Sequence, residues 1–214
     1  MLPIETSGLI TLVAGSSVLA ALVSQGVAAF RDSRKANKDG SFAALYLAVA
    51  LESYGSDCSS VISDSENYES SGSHAGTAHG NVPDLPDYPP SIEWKPFGIN
   101  QTTQAMSFRV EVESAKAMLR DYWDMVGDED EVVPLMRQET ARLGRKALGL
   151  AIEFRKEWKI PPVDYSADWN VKTHLNERVA KYEEQRKERE ERNRKFNEEM
   201  FANIKTDGPI AEDS

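Results

Sequence analysis

From Thr6 to Phe30 the chain carries no charged side chain, and the centre of that stretch, Leu9 to Val23, reads LITLVAGSSVLAALV. As a helix rising about 1.5 Å per residue, these 25 positions span roughly 37 Å, more than the roughly 30 Å of a bilayer's hydrocarbon core. A helix is the form required there, because lipid offers no partner to open backbone groups. A core helix of this length normally keeps a polar stripe. Here the polar residues of the centre are Thr11, Ser16 and Ser17, each able to bond its own backbone. A signal peptide opens with a basic region, whereas this chain starts MLPIE. The sequence therefore predicts a retained transmembrane helix over 6–30, with Leu9, Leu12, Val13, Val18, Leu19, Leu22 and Val23 as its apolar body.

The flanks set its direction. RDSRKANKD follows the span, placing Arg31, Arg34, Lys35 and Lys38 on one side, while the other side has no basic residue. Lys and Arg near a span end favour the cytoplasmic face, so residues 1–5 are expected outside the cell. Residues 31–41 then form a basic juxtamembrane segment suited to anionic headgroups. Within the span, Ser16 with Ala20 and Ser17 with Ala21 are small residues four apart, a spacing that lets two helices approach and makes a homo-oligomer conceivable.

Composition narrows the rest. With 25 Lys+Arg against 35 Asp+Glu the formal charge is -10, the wrong sign for a protein that must neutralise phosphates, so no nucleic acid is expected as a partner. One cysteine excludes an internal disulfide and suits a reducing compartment.

Beyond Gly40, taken as a break, FAALYLAVAL is too short to cross a membrane, and Leu47, Leu51, Tyr54, Cys58 and Val61 step by threes and fours as a helical core face does. Cys58 has no basic neighbour to stabilise a thiolate and reads as a small buried apolar group. From 63 to about 98 periodicity gives way to Ser, Gly, Asn, Asp and Pro. LPDYPP should be extended, with Tyr88, Trp94 and Phe97 anchoring it to the core and the Ser70 to Gly80 part mobile. Between Asp39 and Lys95 there is no Lys or Arg, although Glu52, Asp57, Asp64, Glu66, Glu69, Asp84, Asp87 and Glu93 lie there. This acidic face is to be matched by the basic later helices or by a protein partner.

Three more helices follow. Ala105, Phe108, Val112, Ala115, Leu119, Tyr122 and Val126 mark one from about Asn100, ended by Gly127. Acidic residues 128–131 open the next, striped by Val133, Met136, Thr140, Leu143, Ala147, Leu150 and Phe154 and stopped by Pro161 and Pro162. The last is capped by Ser166 or Asp168 and striped by Trp169, Val171, Leu175, Val179 and Tyr182, with His174 assigned to its surface. Then EEQRKEREERNRK holds no apolar residue. Glu183 with Lys187, Glu188 with Arg192, Glu190 with Arg194 and Glu191 with Lys195 support a solvated helix. Phe196, Met200 and Ile204, with Phe201 beside them, restore a short apolar stripe that either docks on a partner or folds back on its own bundle.

Signatures of chemistry are scarce. No phosphate loop, dinucleotide fingerprint, HExxH or nucleophile elbow occurs. His74 and His79, with Asp64, Glu66 and Glu69 upstream, are the residue types that bind zinc. A site needs three or four such ligands held rigidly, which a Gly-rich loop does not supply, so no metal or cofactor is expected. The ordered set of the charge-poor span, YLAVALESY, SSGSHAGTAHGNVPDLPDYP, MVGD and WKIPP resembles a group of bacterial single-pass membrane proteins without an assigned activity. The resemblance implies an inner-membrane location and no catalytic residue.

The expected chain is all-α. It comprises an external 1–5, a span at 6–30, a basic segment at 31–41, a cytoplasmic helical domain at 42–182 with an irregular loop at about 63–98, and a charged helix and flexible tail at 183–214. The leading functional expectation is a membrane-anchored interaction or scaffold protein using its C-terminal helix or acidic face. A metal-dependent enzyme built on His74 and His79, and an oligomeric membrane-disrupting effector, are the alternatives.

Overall fold

The computed structural model describes the backbone of residues 6–77, 81–90, 92–164 and 170–206, and the side chains of these from 38 to 201. The described residues form four helices and no strand, so the chain is an all-α bundle: α1 (Thr6–Ser70), α2 (Ile99–Val126), α3 (Glu129–Glu157) and α4 (Val171–Thr206).

Gly40 does not break α1, which runs as one helix of 65 residues, about 100 Å at 1.5 Å per residue. The reason is packing. A Cβ at Gly40 would run into the Trp158 ring and lie 2.9 Å from the Pro96 side chain, so glycine here admits the irregular segment and the end of α3 against the helix. Its helix-weakening cost, roughly 1 kcal/mol relative to alanine, is offset by that contact. Along the buried face run Ala44, Leu47, Leu51, Tyr54, Cys58 and Ile62. Ile62 takes the place expected of Val61, which is only partly buried.

The helix also outlasts its expected end. Residues 63–70, rich in Ser, Asp and Asn, stay helical because α3 and α4 grip them. Arg137 of α3 donates to the Ser65 hydroxyl (2.9 Å) and carbonyl (2.7 Å), and Glu66 accepts from Lys181 and Tyr182 of α4. Tertiary contacts thus override weak local propensity.

α3 is the central helix, packed against each of the other three. That is why its buried set is broader than one stripe and includes Val132, Ala141, Gly144, Leu148 and Ala151 besides the expected positions, of which Val133 alone is only partly buried. Asp128 caps it by accepting from the Asp130 amide at 2.9 Å. Gly127 closes α2 at φ 63°, a left-handed conformation suited to glycine. At the start of α4 the cap is Asn170, whose side chain accepts from the Thr173 amide at 3.0 Å. Ser166, Asp168 and Trp169 lie outside the described residues.

The irregular segment lies on the core as expected in its second half. Val82, Leu85, Ile92 and Phe97 are buried, and the Tyr88 hydroxyl donates to the Ala105 carbonyl at 3.1 Å. Phe97 meets Phe154 and Trp158 edge-on at 5.9 and 5.3 Å between ring centres.

Among the described residues, no helix is long and apolar enough to cross a membrane. The side chains of the span residues Leu9, Leu12, Val13, Val18, Leu19, Leu22 and Val23, and of Arg31, Arg34 and Lys35, lie outside that set. Lys38 lies within it and is exposed. The bundle is established; the membrane span is not.

Candidate interaction site

The acidic stretch finds much of its match inside the chain. Glu52 on α1 receives Arg155 of α3 through both carboxylate oxygens, at 2.6 and 2.8 Å, with the two side chains only 15% and 12% exposed. Such a fork is the strong form of ion pairing. Glu66 holds Arg178 and Lys181 of α4, and Glu69 holds Arg137 of α3. Asp84 pairs with Lys116, and Asp87 with Arg109, whose guanidinium also lies 4.7 Å from the centre of the Tyr88 ring. Between α2 and α3, Glu111 is shared by Arg142 and Lys146. Five acids between Asp39 and Lys95 are therefore tied to later basic residues. The remaining acidic face offered to an outside partner is correspondingly smaller.

His174 is buried, not on the surface: its Nδ1 lies 2.7 Å from the Ser59 hydroxyl, joining α4 to α1. Helical spacing alone carried no signal for this contact, since the partners are 115 positions apart. Burial and the Arg178 charge hold the imidazole below its ordinary 6.5, against the opposing pull of Glu66 and Glu177. Burial raises the Glu66 carboxyl, but hydrogen bonds from Lys181 and Tyr182 and the charge of Arg178 outweigh it, leaving the group below its ordinary 4.5. Glu111 behaves alike, through Lys146 and Arg142. All three groups bind protons more readily in the unfolded chain, so each contributes stability that is lost on acidification. Stability is expected to hold above pH 6.5, to decline below it as unfolded His174 protonates, and to fall more steeply below 4.5. Urea midpoints across pH should show that first decline vanish in His174→Gln.

Cys58 is fully buried, and burial pushes its thiol up to about 12, so it acts as a small apolar group. Gly144 and Gly55, at the α1–α3 crossing, were not anticipated as contact residues. A Cβ at Gly144 would lie 2.7 Å from the Cys58 Cβ, and one at Gly55 2.7 Å from Leu148. The available signal was a glycine inside a helical stripe, which costs stability unless backbones need to approach.

The histidine loop is not the free segment its composition suggested. Residues 71–77 turn back on the end of α1: Ser73 donates to the Tyr68 carbonyl (2.9 Å), Thr77 to that of Asp64 (3.3 Å), and the Ser71 hydroxyl accepts from the amides of His74 and Ala75. His74 is exposed there, and His79 lies outside the described residues. Among the described residues no group of three His, Cys, Asp or Glu is placed to hold a metal ion.

An open cleft of about 740 Å³ lies where residues 81–84 approach α2 and α3. Its lining includes Val82, Leu119, Trp123 and Met136, with Lys116, Asp84 and Arg120 among its polar groups. Lys116 is raised, and Asp84 lowered, by their mutual hydrogen bond. Both shifts fix charge in place, the opposite of what proton transfer near neutrality uses.

α4 leaves the bundle after Tyr182. Leu175, Val179 and Tyr182 are buried, whereas residues 183–201 are exposed throughout. Two of the expected pairs form, Glu188 with Arg192 and Glu191 with Lys195. Glu183 turns instead to Arg145 of α3, Glu190 to Arg186, and Arg194 to Glu198, because each charge has alternative partners a turn away or across the interface. Phe196, Met200 and Phe201 stand exposed, so the stripe is not folded back on the bundle at these positions; the Ile204 side chain lies outside the described residues. The chain matches no family model, and neither the curated proteins nor the solved structures compared with it include a match.

Proposed function

We propose that this chain is a membrane-anchored helical interaction protein, with a span at 6–30, its amino terminus outside and its bundle in the cytoplasm, presenting α4 to a protein partner. The observation that carries the reading is the continuity of α1. One helix includes both the charge-free stretch and, from Ala44 to Ile62, the core face of the bundle. A span continued without a hinge would hold the bundle at a fixed distance from the bilayer, with Arg31, Arg34, Lys35 and Lys38 at the headgroups. The exposed Phe196, Met200 and Phe201, at the far end of a helix kept soluble by its charges, support a docking role for α4.

Topology is tested with a carboxyl-terminal tag on the full chain expressed in bacteria. Trypsin is applied to intact, outer-membrane-permeabilised and fully lysed cells, cutting in the Lys/Arg-rich arm from Lys181 to Lys195. Recovery in the membrane fraction with the tag lost only on lysis is the expected result. Loss of the tag on permeabilisation alone would overturn the orientation. Recovery in the soluble fraction would overturn the anchor.

A further inference from the structure

The corner between α2 and α3 gathers negative charge that the fold leaves unmatched. Elsewhere Glu52, Glu66, Glu69, Asp84, Asp87 and Glu111 each hold a basic side chain. Between Asp121 and Glu131 the chain has no Lys or Arg, while Asp121, Asp124, Asp128, Glu129, Asp130 and Glu131 are all exposed. Helix stability accounts for the acids that open α3, where Asp128 is the cap and the next three meet the positive end of the dipole. It does not account for Asp121 and Asp124. These stand at the negative end of α2, where a carboxylate is unfavourable, and neither joins an ion pair among the described residues.

The surface beside these acids is apolar. The open cleft of about 740 Å³ is lined by Val82, Leu119, Trp123, Val132, Val133 and Met136. Trp123 is 40% exposed, and Met125 and Val126, next along α2, are 75% and 37% exposed. Tryptophan and methionine are the side chains that interfaces favour. Two cations also reach the cleft. Lys116 is already held by Asp84 and Glu113, and Arg120 is followed within one turn by Asp121 and Asp124.

We propose that this cleft takes a basic amphipathic helix of a partner protein, with apolar side chains entering beside Trp123 and Lys or Arg meeting Asp121 and Asp124. The walls suit such an occupant. One turn of α2, Leu119 to Trp123, faces one turn of α3, Val132 to Met136, which fits apolar anchors spaced three and four apart on an incoming helix. The sign of the charge selects a cationic partner and opposes an anionic lipid surface or a nucleic acid. The site is separate from α4, and it does not rest on the membrane anchor.

The probe is a fluorescein-labelled synthetic helix of leucine and lysine with one apolar face. It is titrated by anisotropy against the full chain in zwitterionic nanodiscs, with empty discs as the blank. Saturable binding is expected, weakened about tenfold by Trp123→Ala and at least as much by Asp121→Lys with Asp124→Lys. Asp57→Lys with Glu153→Lys changes the net charge equally at exposed positions away from the corner, and should leave binding within about twofold. The glutamate counterpart of the peptide should not bind. An unchanged urea midpoint in Trp123→Ala shows that its effect is on binding and not on folding. No saturable binding, binding indifferent to Trp123→Ala, an equal loss in the two charge-reversed pairs, or equal binding of the glutamate peptide would each overturn the proposal.

Discussion

Replacing Arg155 by alanine is expected to destabilise the bundle by about 3 kcal/mol, because it leaves the Glu52 carboxylate in a site from which water is largely excluded. The fork joins α1 to the last turns of α3, and Arg155 also donates to the Pro161 carbonyl at 2.8 Å, fixing the exit toward α4. Removing both charges is a different experiment. Glu52→Leu with Arg155→Leu is expected to recover most of the loss, since apolar packing substitutes for a buried ion pair at little net cost. Urea unfolding of the full chain in detergent, followed by circular dichroism, gives the three midpoints. A single substitution as mild as the double would show that the pair is solvated and that its attraction is largely screened. By contrast, loss of the exposed Arg192–Glu188 pair should change stability by under about 1 kcal/mol.

That contrast also marks what the sequence could reveal. The absence of Lys and Arg between Asp39 and Lys95 signalled an internal electrostatic match, and the fold supplies much of one, but nothing local told which arginine meets which glutamate. Sequence separation between Glu52 and Arg155 is 103, and only the antiparallel packing of α1 on α3 brings them together. Helical stripes were legible because three-and-four spacing is a local property. α2 and α3 accordingly start and end near the expected positions, at Ile99–Val126 and Glu129–Glu157. Errors fell where a neighbour overrode composition. Local propensity makes Gly40 a break, yet Trp158 and Pro96 hold it in the helix, and it makes 63–70 coil, yet Arg137, Lys181 and Tyr182 hold that stretch helical. Nothing beside His174 in the sequence signals its burial, because its partner, Ser59, is on another helix. The exposed faces were harder still. Phe42, Tyr46 and Val49 belong to the same FAALYLAVAL run as the core, and only the packing direction of α1 shows which side is left open.

Two glycines of α3 turn the packing argument into a prediction with opposite signs. At Gly149 a Cβ would meet nothing within 4 Å, and the position is exposed. Gly149→Ala should therefore stabilise the bundle by about 0.5–1 kcal/mol, the usual gain when alanine replaces glycine within a helix. Gly144 has the same intrinsic gain available. Yet its new Cβ would sit 2.7 Å from the Cys58 Cβ, which moves only with the backbone of α1, and 3.1 and 3.2 Å from the two Leu175 methyl carbons of α4. Leu175 has rotamers to try, whereas α1 must shift as a whole, together with Gly55, whose own Cβ would lie 3.4 Å from the Gly144 carbonyl. Overpacking of this kind costs roughly 1–3 kcal/mol, and a leucine at 144 more, so Gly144→Ala is expected to destabilise by about 2 kcal/mol net and Gly144→Leu to prevent close packing of α1, α3 and α4. The readout is the difference between the Gly144→Ala and Gly149→Ala urea midpoints, in which helix propensity cancels. Equal midpoints would mean that α1 and α3 stand further apart than the crossing at Gly55 and Gly144 requires, and that the bundle is held by its ion pairs and aromatic contacts rather than by backbone approach.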